Sequence, residues 1–587
     1  MIKIYYKQCL CDMLSMMGNR MLFVCLTLMC VMGVQAQDDD FKKSMDEFRR
    51  GAYKEYDDFR KQALMEYSDF VRQAWKPFNA EPAVPMPKEE EVAPMLAPDA
   101  DQETASWFSR QMDKLFKRNK KDADNKQAKA DVKTQQRKAE PKKPEPKKPE
   151  PKKPEPKKPE AKKPQPKNKP ETKKPVELAV KQVIPPAPVI KQPEPLSEVK
   201  EETFRANNYM KFMVFGTECK VRIGDNCRFK LPNVSSDAVA DVIRDEFPKT
   251  QFDNLLYDCL QERKRHNFSD WAYYQMLLAL TNKFYGENSN EGVLVRAFLY
   301  SQSGYKMRLA HDENNLYMLC ATRHFIYNKI FFSMEDDWYF LFDGKQSDKL
   351  RICPASFPKE SSLSLQISAA QQFAMNPSGE RVIRSIRNPN FSVTLHSNKN
   401  YIDFCETYPS SIVDNNFMTR WAMYANTPLE ADVCDQLYPQ LKNNIKGMSE
   451  KQAVQELLWW LHGNLDLEGE IKNSETFLYR YDEDCWGADR AFFGEETLYY
   501  PYCDCEDRSI LLSHLVRDLV GLDVVLVYYP GHLAMAVCFN ENVDGDYIMV
   551  NGRKFIVCDP TYIGCRIGDT MPGMNNSEAT VILLQKS

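Results

Sequence analysis

A stretch in which proline recurs every two or three residues limits what the first third of this chain can become. It runs from Lys120 to Pro195, consists mainly of lysine, glutamate and proline, and repeats the sequence found at 141–149. Proline lacks a backbone donor and clashes with the preceding helical turn, so closely spaced prolines exclude a helix and favour an extended polyproline II conformation. We therefore predict a disordered linker over 79–204, and folded domains after about residue 205 of the 587-residue chain.

This linker has two interpretations. It is either an extended spacer that holds the C-terminal part away from the N-terminus, across a layer of the cell envelope, or a solubilising segment without a fixed span. Its lysine pairs alternate with glutamate. That alternation does not favour a nucleic-acid tether, and we expect no nucleic-acid partner.

The first 36 residues have the pattern of a secretory signal peptide. An apolar run at 21–34 follows Arg20, and Ala36 precedes an acidic segment. The run is shorter than the ~20 residues that a membrane-spanning helix needs. We predict cleavage after Ala36 and export to the periplasm, the cell envelope or the medium, with an uncleaved anchor as the alternative.

The cysteine count bears on the same prediction. Removing residues 1–36 leaves 13 of the 17 cysteines. An odd number in an exported protein implies at least one unpaired thiol, and the others are candidates for disulfides whose pairing the sequence does not give.

Residues 37–78 are predicted to form an amphipathic helix. Aromatic and small apolar residues recur there with an 11-residue period, which lies close to that of a straight α-helix. The apolar stripe over 41–74 packs either on a partner helix, including that of a second copy, or on the protein's own body. The polar face carries both signs of charge, which disfavours a specific role in binding nucleic acid or anionic lipid.

Three residues with related chemistry lie in the C-terminal part of the chain. Cys505 precedes an apolar stripe of helical period that ends at a glycine, so we predict that it begins a helix whose dipole favours the thiolate. His532 follows a Pro-Gly turn and opens a predicted strand at 533–539. Asp559 ends another predicted strand at 554–559.

We predict that these two strands pair directly as antiparallel neighbours, with 547–550 as an accessory strand. The start of one strand then meets the end of the other, and His532 and Asp559 lie side by side. A thiol attacks as thiolate and is activated by a neighbouring base. The arrangement therefore predicts a nucleophile, a base and a group that orients the base.

Each residue taken singly has an ordinary structural explanation, as a buried thiol, a satisfied polar side chain or a turn residue. Cys503 is a rival nucleophile, but it precedes the predicted helix and lacks its dipole. His514 is predicted to be a surface residue. Only seven histidines occur, without a Cys-x-x-Cys spacing, so we predict neither a metal site nor a cofactor.

The sequence at 505–512, the Gly-His pair at His532 and the Asp-Pro-Thr at Asp559 together resemble the transglutaminase-like core, which has a papain-like fold. The resemblance covers about the last 150 residues. It implies that Cys505 is the nucleophile, that His532 is the general acid and base, and that Asp559 orients the imidazole. Cys503 departs from the small residue usual at that position, which raises the question of a local disulfide. The backbone N–H of Cys505 and the indole of Trp486 are candidate oxyanion donors.

The middle of the chain contains a similar order of helical stripe, glycine and apolar runs, but it lacks the cysteine and the histidine. Laying Gly304 on Gly521 aligns a helical stripe and two apolar runs in both regions. We therefore predict a degenerate second copy within 205–350, in which Asn288 and Asn315 replace the thiol and the imidazole while Asp343 keeps the acid. The alternative is chance, because any helix followed by a glycine and two strands can be aligned in this way.

The predicted fold class is α+β. The degenerate copy at 205–350 is followed by a small β-rich module at 351–430, whose predicted strands include 362–367, 381–384 and 391–395. A transglutaminase-like catalytic domain follows at 431–587, and a capping-box sequence at 449–452 begins one of its helices.

Two classes of function remain open. The first is an exported cysteine-dependent enzyme that breaks an amide bond through an acyl-enzyme, with peptide or isopeptide hydrolysis ahead of glutamine-directed acyl transfer. The second is a non-catalytic secreted binding or scaffold protein that uses the same fold as a recognition surface. The intact Cys505, His532 and Asp559 set favours the enzyme, whose partner is a protein or peptide substrate.

Overall fold

The computed structural model describes residues 58, 61–88, 91–98, 174–196, 199, 209–344, 347–355, 359–413, 416–466, 474–574 and 577–585. The chain divides into two units, Met1–Glu66 and Tyr67–Ser587. In the first unit residues 61–66 are helical, and Gln62 Nε2 donates a hydrogen bond of 3.3 Å to Glu66 Oε1. The predicted signal peptide and the proline repeats at 141–149 lie outside the described residues. Within the described part, no helix is both long enough and apolar enough to cross a membrane.

The unit Tyr67–Ser587 mixes helices with sheets, which confirms the α+β class. Its helices are α1 Ser236–Asp245, α2 Thr250–Arg265, α3 Asp270–Tyr285, α4 Asn290–Gln302, α5 Lys399–Cys405, α6 Thr419–Asn426, α7 Ala431–Asn444, α8 Glu450–Leu461, α9 Asp482–Cys485, α10 Gly494–Tyr499 and α11 Cys505–Leu515. The strands are β1 Lys76–Asn79, β2 Val180–Ile184, β3 Tyr209–Val214, β4 Thr217–Arg222, β5 Met307–His311, β6 Leu316–Thr322, β7 His324–Ile326, β8 Phe331–Met334, β9 Asp337–Phe340, β10 Lys349–Ile352, β11 Arg381–Arg384, β12 Ser392–Leu395, β13 Ser411–Val413, β14 Asn464–Leu465, β15 Leu478–Tyr479, β16 Tyr502–Cys503, β17 Asp523–Tyr529, β18 His532–Cys538, β19 Tyr547–Val550, β20 Arg553–Cys558 and β21 Ala579–Leu583.

Two six-stranded sheets dominate this unit, and they share one plan. Their orders are β8-β9-β6-β5-β10-β1 and β19-β20-β18-β17-β21-β2. In each, a helix (α4 or α11) precedes a hairpin, the second hairpin strand pairs with a later strand, and an N-terminal segment supplies the last edge strand. The outermost pairs differ, because β1 runs antiparallel to β10 whereas β2 runs parallel to β21.

The central hairpins also share their register. Met307 pairs with Cys320 in the first sheet, and Val524 pairs with Val537 in the second, which are the positions matched by laying Gly304 on Gly521. The helix and antiparallel strands that the hypothesis of a degenerate copy requires are therefore present. The helix starts differ: α4 begins at Asn290, and Asn288 lies before it with a left-handed backbone (φ 56°), so it does not stand at a helix start as Cys505 does.

The predicted helix over 37–78 is shorter than expected at its C-terminal end. The described helical residues end at position 71, and β1 follows at Lys76–Asn79. From Tyr67 onward the segment packs on the protein's own body: Ser68 Oγ donates to the Ala240 carbonyl at 2.7 Å, and Arg72 forms an ion pair with Asp241. For this part of the stripe, packing on the same chain is correct.

The predicted linker over 79–204 is wrong at both ends. Residues 80–97 contact the folded body, with backbone hydrogen bonds such as Ala80 N to Asp348 O at 2.8 Å. Near the other end, β2 pairs with β21. Apolar residues between the prolines, such as the buried Leu178 and Ile184, account for this docking.

The β-rich module predicted over 351–430 is also wrong. Of its three predicted strands, β11 and β12 form a two-stranded hairpin, whereas 362–367 makes one isolated bridge, at Leu363. The rest of the range contains α5 and α6, and β13 pairs with β7 of the preceding region. The α5 sequence has an asparagine N-cap at Asn398 and buries its apolar residues, which short alternating runs upstream do not reveal.

Candidate active site

Helix α11 presents Cys505 at its first residue, as predicted. Its N-cap is Asp504, whose side chain accepts from the backbone N–H of Asp507, while the Asp507 carboxylate accepts from the Asp504 N–H at 3.3 Å. This reciprocal capping box satisfies two donors that a helix start leaves open. Ser509 Oγ donates to the Leu533 carbonyl at 3.0 Å, which ties the helix to β18.

Strands β18 and β20 bring the other two residues together. They pair antiparallel, with Met535 opposite Cys558, and β19 pairs with β20 at the sheet edge. His532 Nε2 lies 2.8 Å from Asp559 Oδ2. The predicted strand pairing and the predicted neighbourhood of His532 and Asp559 are confirmed.

The surroundings of Asp559 determine that Nε2 of the His532 imidazole carries a proton. Burial opposes ionisation of this carboxyl, but His532 and the backbone N–H groups of Thr561 (2.9 Å) and Tyr562 (3.2 Å) hold its pKa below the usual value. A carboxylate only accepts, so Nε2 carries a proton, and Nδ1 is an acceptor when the ring is neutral. His532 Nδ1 is buried and has no hydrogen-bond partner among the described residues.

The thiol of Cys505 and the imidazole of His532 belong to one cavity. Cys505, His532 and Leu533 line one cavity of about 200 Å³. The sulfur is within hydrogen-bonding reach of the Leu533 backbone, which favours its thiolate, and it donates to Glu506 Oε2 at 3.1 Å. In this arrangement the thiol proton is held by a carboxylate rather than by Nδ1 of His532.

The expectation that the helix start favours the thiolate of Cys505 is outweighed in the structure. Burial raises the pKa of this thiol well above its usual value, and Glu506, Asp504 and Glu91 raise it further. A helix dipole contributes about 0.3–1 kcal/mol, less than one pKa unit, whereas full burial shifts a pKa by up to about 3–5 units. Burial and the carboxylates therefore decide the protonation of the thiol.

Acidic side chains crowd this site. The ligand-type atoms of Asp504, Cys505 and Glu506 lie within 4.8 Å of one another, as do those of Asp482, Asp489 and Glu506. Burial and neighbouring carboxylates raise the pKa values of Asp504 and Asp482. This acidic cluster alone does not identify a metal site, and the expected absence of metal and cofactor stays a prediction.

A segment from the N-terminal side of the proline repeats lies along the same cavity. We call its residues 85–88 and 91–97 the strap. Pro85, Pro87 and Glu91 line the cavity. The Val92 N–H donates to the Gly531 carbonyl at 2.8 Å, next to His532, and Ala97 and Met95 exchange backbone hydrogen bonds with Ile563 (2.8 and 3.0 Å). The strap therefore borders the cavity that Cys505 and His532 line.

We expect the strap to loosen as pH rises. Burial, with Glu506 and Asp489, raises the pKa of Glu91 from 4.5 to about 8. Docking of the strap thus favours protonated Glu91, so this contribution is fully present below about pH 4.5 and is lost as pH rises through about 8. Hydrogen exchange corrected for intrinsic rates should show protection of 91–97 falling at least about tenfold between pH 5 and 9. The Glu91→Gln variant is the control, and an equal decline in both proteins would contradict this role of Glu91.

Trp486 and His514 do not have the environments that the sequence predicts. Trp486 does not line the cavity; its ring packs on Phe492 and Tyr500 (centroids 5.9 and 5.1 Å), and its Nε1 is buried without a partner among the described residues. The prediction that His514 is a surface residue is wrong, because it is 3% exposed and its Nε2 faces the Tyr424 carbonyl at 3.4 Å.

Cys503 is not part of a disulfide. It lies in β16, and Arg508 Nε donates to its sulfur at 3.4 Å. The described cysteines, from Cys219 to Cys565, are all free thiols. The structure thus brings Cys505, His532 and Asp559 together and leaves Cys503 engaged with an arginine.

Two contributors to the site were missed in the sequence. Glu91 lies within the predicted linker, although the apolar residues that follow it indicate that this segment docks on the folded body. His462 was not singled out: its Nδ1 accepts from the Gly564 N–H at 3.1 Å, and burial next to Arg508 lowers its pKa to about 3. This neutral histidine supports the loop after Asp559, and a lone histidine at a helix end gives no such indication.

Comparisons with protein-family models, with curated proteins and with solved structures give no match to this chain.

Proposed function

We propose that the C-terminal region is a cysteine-dependent amide-bond enzyme of the transglutaminase-like, papain-like type, with Cys505 as nucleophile. The observation that carries the proposal is the buried His532: its Nε2 is paired with Asp559, and its unpartnered Nδ1 lies in the same region as the Cys505 thiol. A buried hydrogen-bond acceptor without a donor lowers the stability of the fold, and in native structures a catalytic role is one explanation for such a group. Accepting the thiol proton is a role of this kind for Nδ1.

The reaction follows from these positions. The thiol leaves Glu506, its proton passes to Nδ1 of His532, and the sulfur forms a bond to the carbonyl carbon of an amide. The imidazolium then gives the proton to the departing amine as the C–N bond breaks, which leaves a thioester on Cys505. Water attacks the thioester with His532 as base, and the acid and the free thiol are released. Asp559 stays ionised and stabilises the imidazolium.

We favour hydrolysis of a peptide or isopeptide over acyl transfer. The cavity is lined by charged side chains including Lys88, Glu483 and Asp489, a setting in which water has access to the thioester. Incubation with a peptide amide and excess of a primary amine separates the two reactions. We expect mainly the free acid; a predominantly transamidated product would instead assign the protein as an acyltransferase.

The second candidate is a non-catalytic binding domain. The raised pKa of Cys505 and its hydrogen bond to Glu506 favour it, because a protonated thiol is a poor nucleophile. In that case the cavity binds a peptide as it binds the strap. Export through the segment at 1–36 and contact with the cell envelope belong to both candidates as proposals.

Site-resolved alkylation distinguishes the candidates. Iodoacetamide at near-neutral pH should modify Cys505 at least about tenfold faster than the half-buried Cys538 and the buried Cys558, because His532 assists the attack. Peptide mapping by mass spectrometry gives the three rates in one sample. If Cys505 reacts no faster than Cys538, the enzyme proposal fails and the binding domain remains.

A further inference from the structure

A cluster of three buried side chains in the N-terminal part of the folded body has the donor set of a transition-metal site. Cys219 lies in β4, Glu262 lies in the last turn of α2, and His266 is the C-cap of that helix. The two α2 residues are four positions apart and so face the same side of the helix. One ligand atom from each of the three residues lies within 4.8 Å of the others.

Two buried atoms of this cluster face each other. Glu262 Oε2 and His266 Nε2 are buried, lie 3.3 Å apart, and have no hydrogen-bond partner among the described residues. The residues are 5% and 8% exposed, and Cys219 is 0% exposed. Within the protein these atoms have two alternatives to a metal: a thiol hydrogen bond from Cys219 to Glu262, and an ion pair of Glu262 with the protonated form of His266.

The separation between the Glu262 and His266 ligand atoms suits zinc. Two ligands at about 2.0–2.1 Å from a tetrahedral ion lie about 3.3 Å apart, which is the observed distance between Glu262 Oε2 and His266 Nε2. Thiolate, imidazole and carboxylate are all zinc ligands, whereas magnesium and calcium select oxygen donors.

The second ring nitrogen of His266 is oriented as a metal ligand requires. His266 Nδ1 lies 3.2 Å from the Gln372 carbonyl, and the ring stacks on Phe268 at 5.2 Å. A hydrogen bond from Nδ1 to a backbone carbonyl fixes the tautomer that leaves Nε2 free to bind a metal. Glu262 is held from outside by Arg265, 3.3 Å from its Oε1.

We propose that Cys219, Glu262 and His266 bind a zinc ion, with a fourth position open to water. On binding, the Cys219 thiol loses its proton to solvent and a zinc–sulfur bond forms, without a redox change. The ion joins β4 to the end of α2 and, through His266, to the loop at 370–372. Sequence spacing does not indicate this site, because the cysteine stands 43 positions before the Glu-x-x-x-His pair, outside the short spacings of zinc motifs.

The test uses the full chain, purified and dialysed against zinc, with metal content measured by elemental analysis. We expect about one zinc per chain, and a cobalt-substituted sample with a thiolate-to-cobalt charge-transfer band. Cys219→Ser should abolish the band, and both Cys219→Ser and His266→Gln should weaken zinc binding by at least about 100-fold, beyond the 10–100-fold that loss of a supporting hydrogen bond costs. Cys227→Ser, another buried cysteine outside the cluster, should leave both unchanged.

Two results would overturn the proposal. One is wild-type protein without a cobalt–thiolate band and with only a small fraction of one zinc, which needs no variant. The other is equal zinc affinity in Cys219→Ser, His266→Gln and Cys227→Ser, which would assign bound metal to other thiols.

Discussion

Replacing His532 with alanine is expected to lower the rate of peptide-amide hydrolysis by at least about 10³-fold. Nδ1 of this ring is a buried acceptor in the cavity that also contains Cys505, and without it the sulfur keeps its proton, which it donates in a hydrogen bond to Glu506. Burial and three carboxylates already raise the thiol pKa, so the thiolate fraction at neutral pH becomes very small. The rate of release from a fluorogenic peptide amide, selected from a library with the wild type, measures the effect.

The matched control is His514→Ala. His514 lies in the same helix as Cys505, is buried, and has its pKa lowered to about 3 by burial and Arg517, so it is a neutral structural residue. We expect it to affect stability more than rate. Equal loss of rate in His514→Ala and His532→Ala, at equal folded fraction, would mean that His532 acts only through the fold.

Replacing Asp343 with alanine is expected to lower the free energy of unfolding by about 3–5 kcal/mol. Asp343 follows β9 as Asp559 follows β20, but its partners are the guanidinium of Arg296 and the hydroxyl of Tyr274 (2.5 Å). Arg296 is 2% exposed, so removal of Asp343 leaves a buried charge without its carboxylate. Urea unfolding followed by circular dichroism measures the loss.

A double variant shows whether the pair accounts for that loss. Arg296→Met in the Asp343→Ala background removes the second charge and should recover at least half of the lost stability, because a buried ion pair can often be replaced by apolar side chains at little cost. Alkylation of Cys505 should stay unchanged in both variants. No recovery in the double variant would show that Asp343 stabilises the protein through contacts other than this ion pair.

The aspartate that follows a strand has different partners in the two sheets. In the first sheet Asp343 pairs with an arginine and serves stability, while Asn315 occupies the position of the histidine and bonds to Asp312 through its side chain (3.1 Å). In the second sheet Asp559 is hydrogen-bonded to Nε2 of His532. The two sheets thus share a strand plan and a hairpin register but differ in the residues that surround this aspartate.

The part of the site that the sequence predicted depends on local patterns. The helix start at Cys505, the hairpin before His532 and the strand that ends at Asp559 each follow from apolar periodicity and turn residues over fewer than about twenty positions. The direct pairing of β18 with β20 follows from the same patterns, because His532 and Asp559 stand at opposite ends of antiparallel strands.

The features that the sequence did not predict depend on distant contacts. β2 follows the proline repeats and pairs with β21 near the other end of the folded body's sequence. The strap brings Glu91 close to a thiol that lies more than 400 residues later. The burial of His514 comes from packing near Tyr424. Short apolar runs between prolines carry too little periodicity to show whether they dock, so the predicted linker extends over segments that contact the folded body.

The most direct test of the central claim is the location of the acyl group. Wild-type protein is incubated briefly with an activated peptide ester and quenched in acid, which preserves thioesters, and its peptides are mapped by mass spectrometry. We predict one acyl group per chain, on Cys505, and none on Cys505 in His532→Ala. Acylation of Cys503 instead, acylation spread evenly over the thiols, or equal labelling of Cys505 with and without His532 would contradict the assignment of Cys505 and His532 as a catalytic pair.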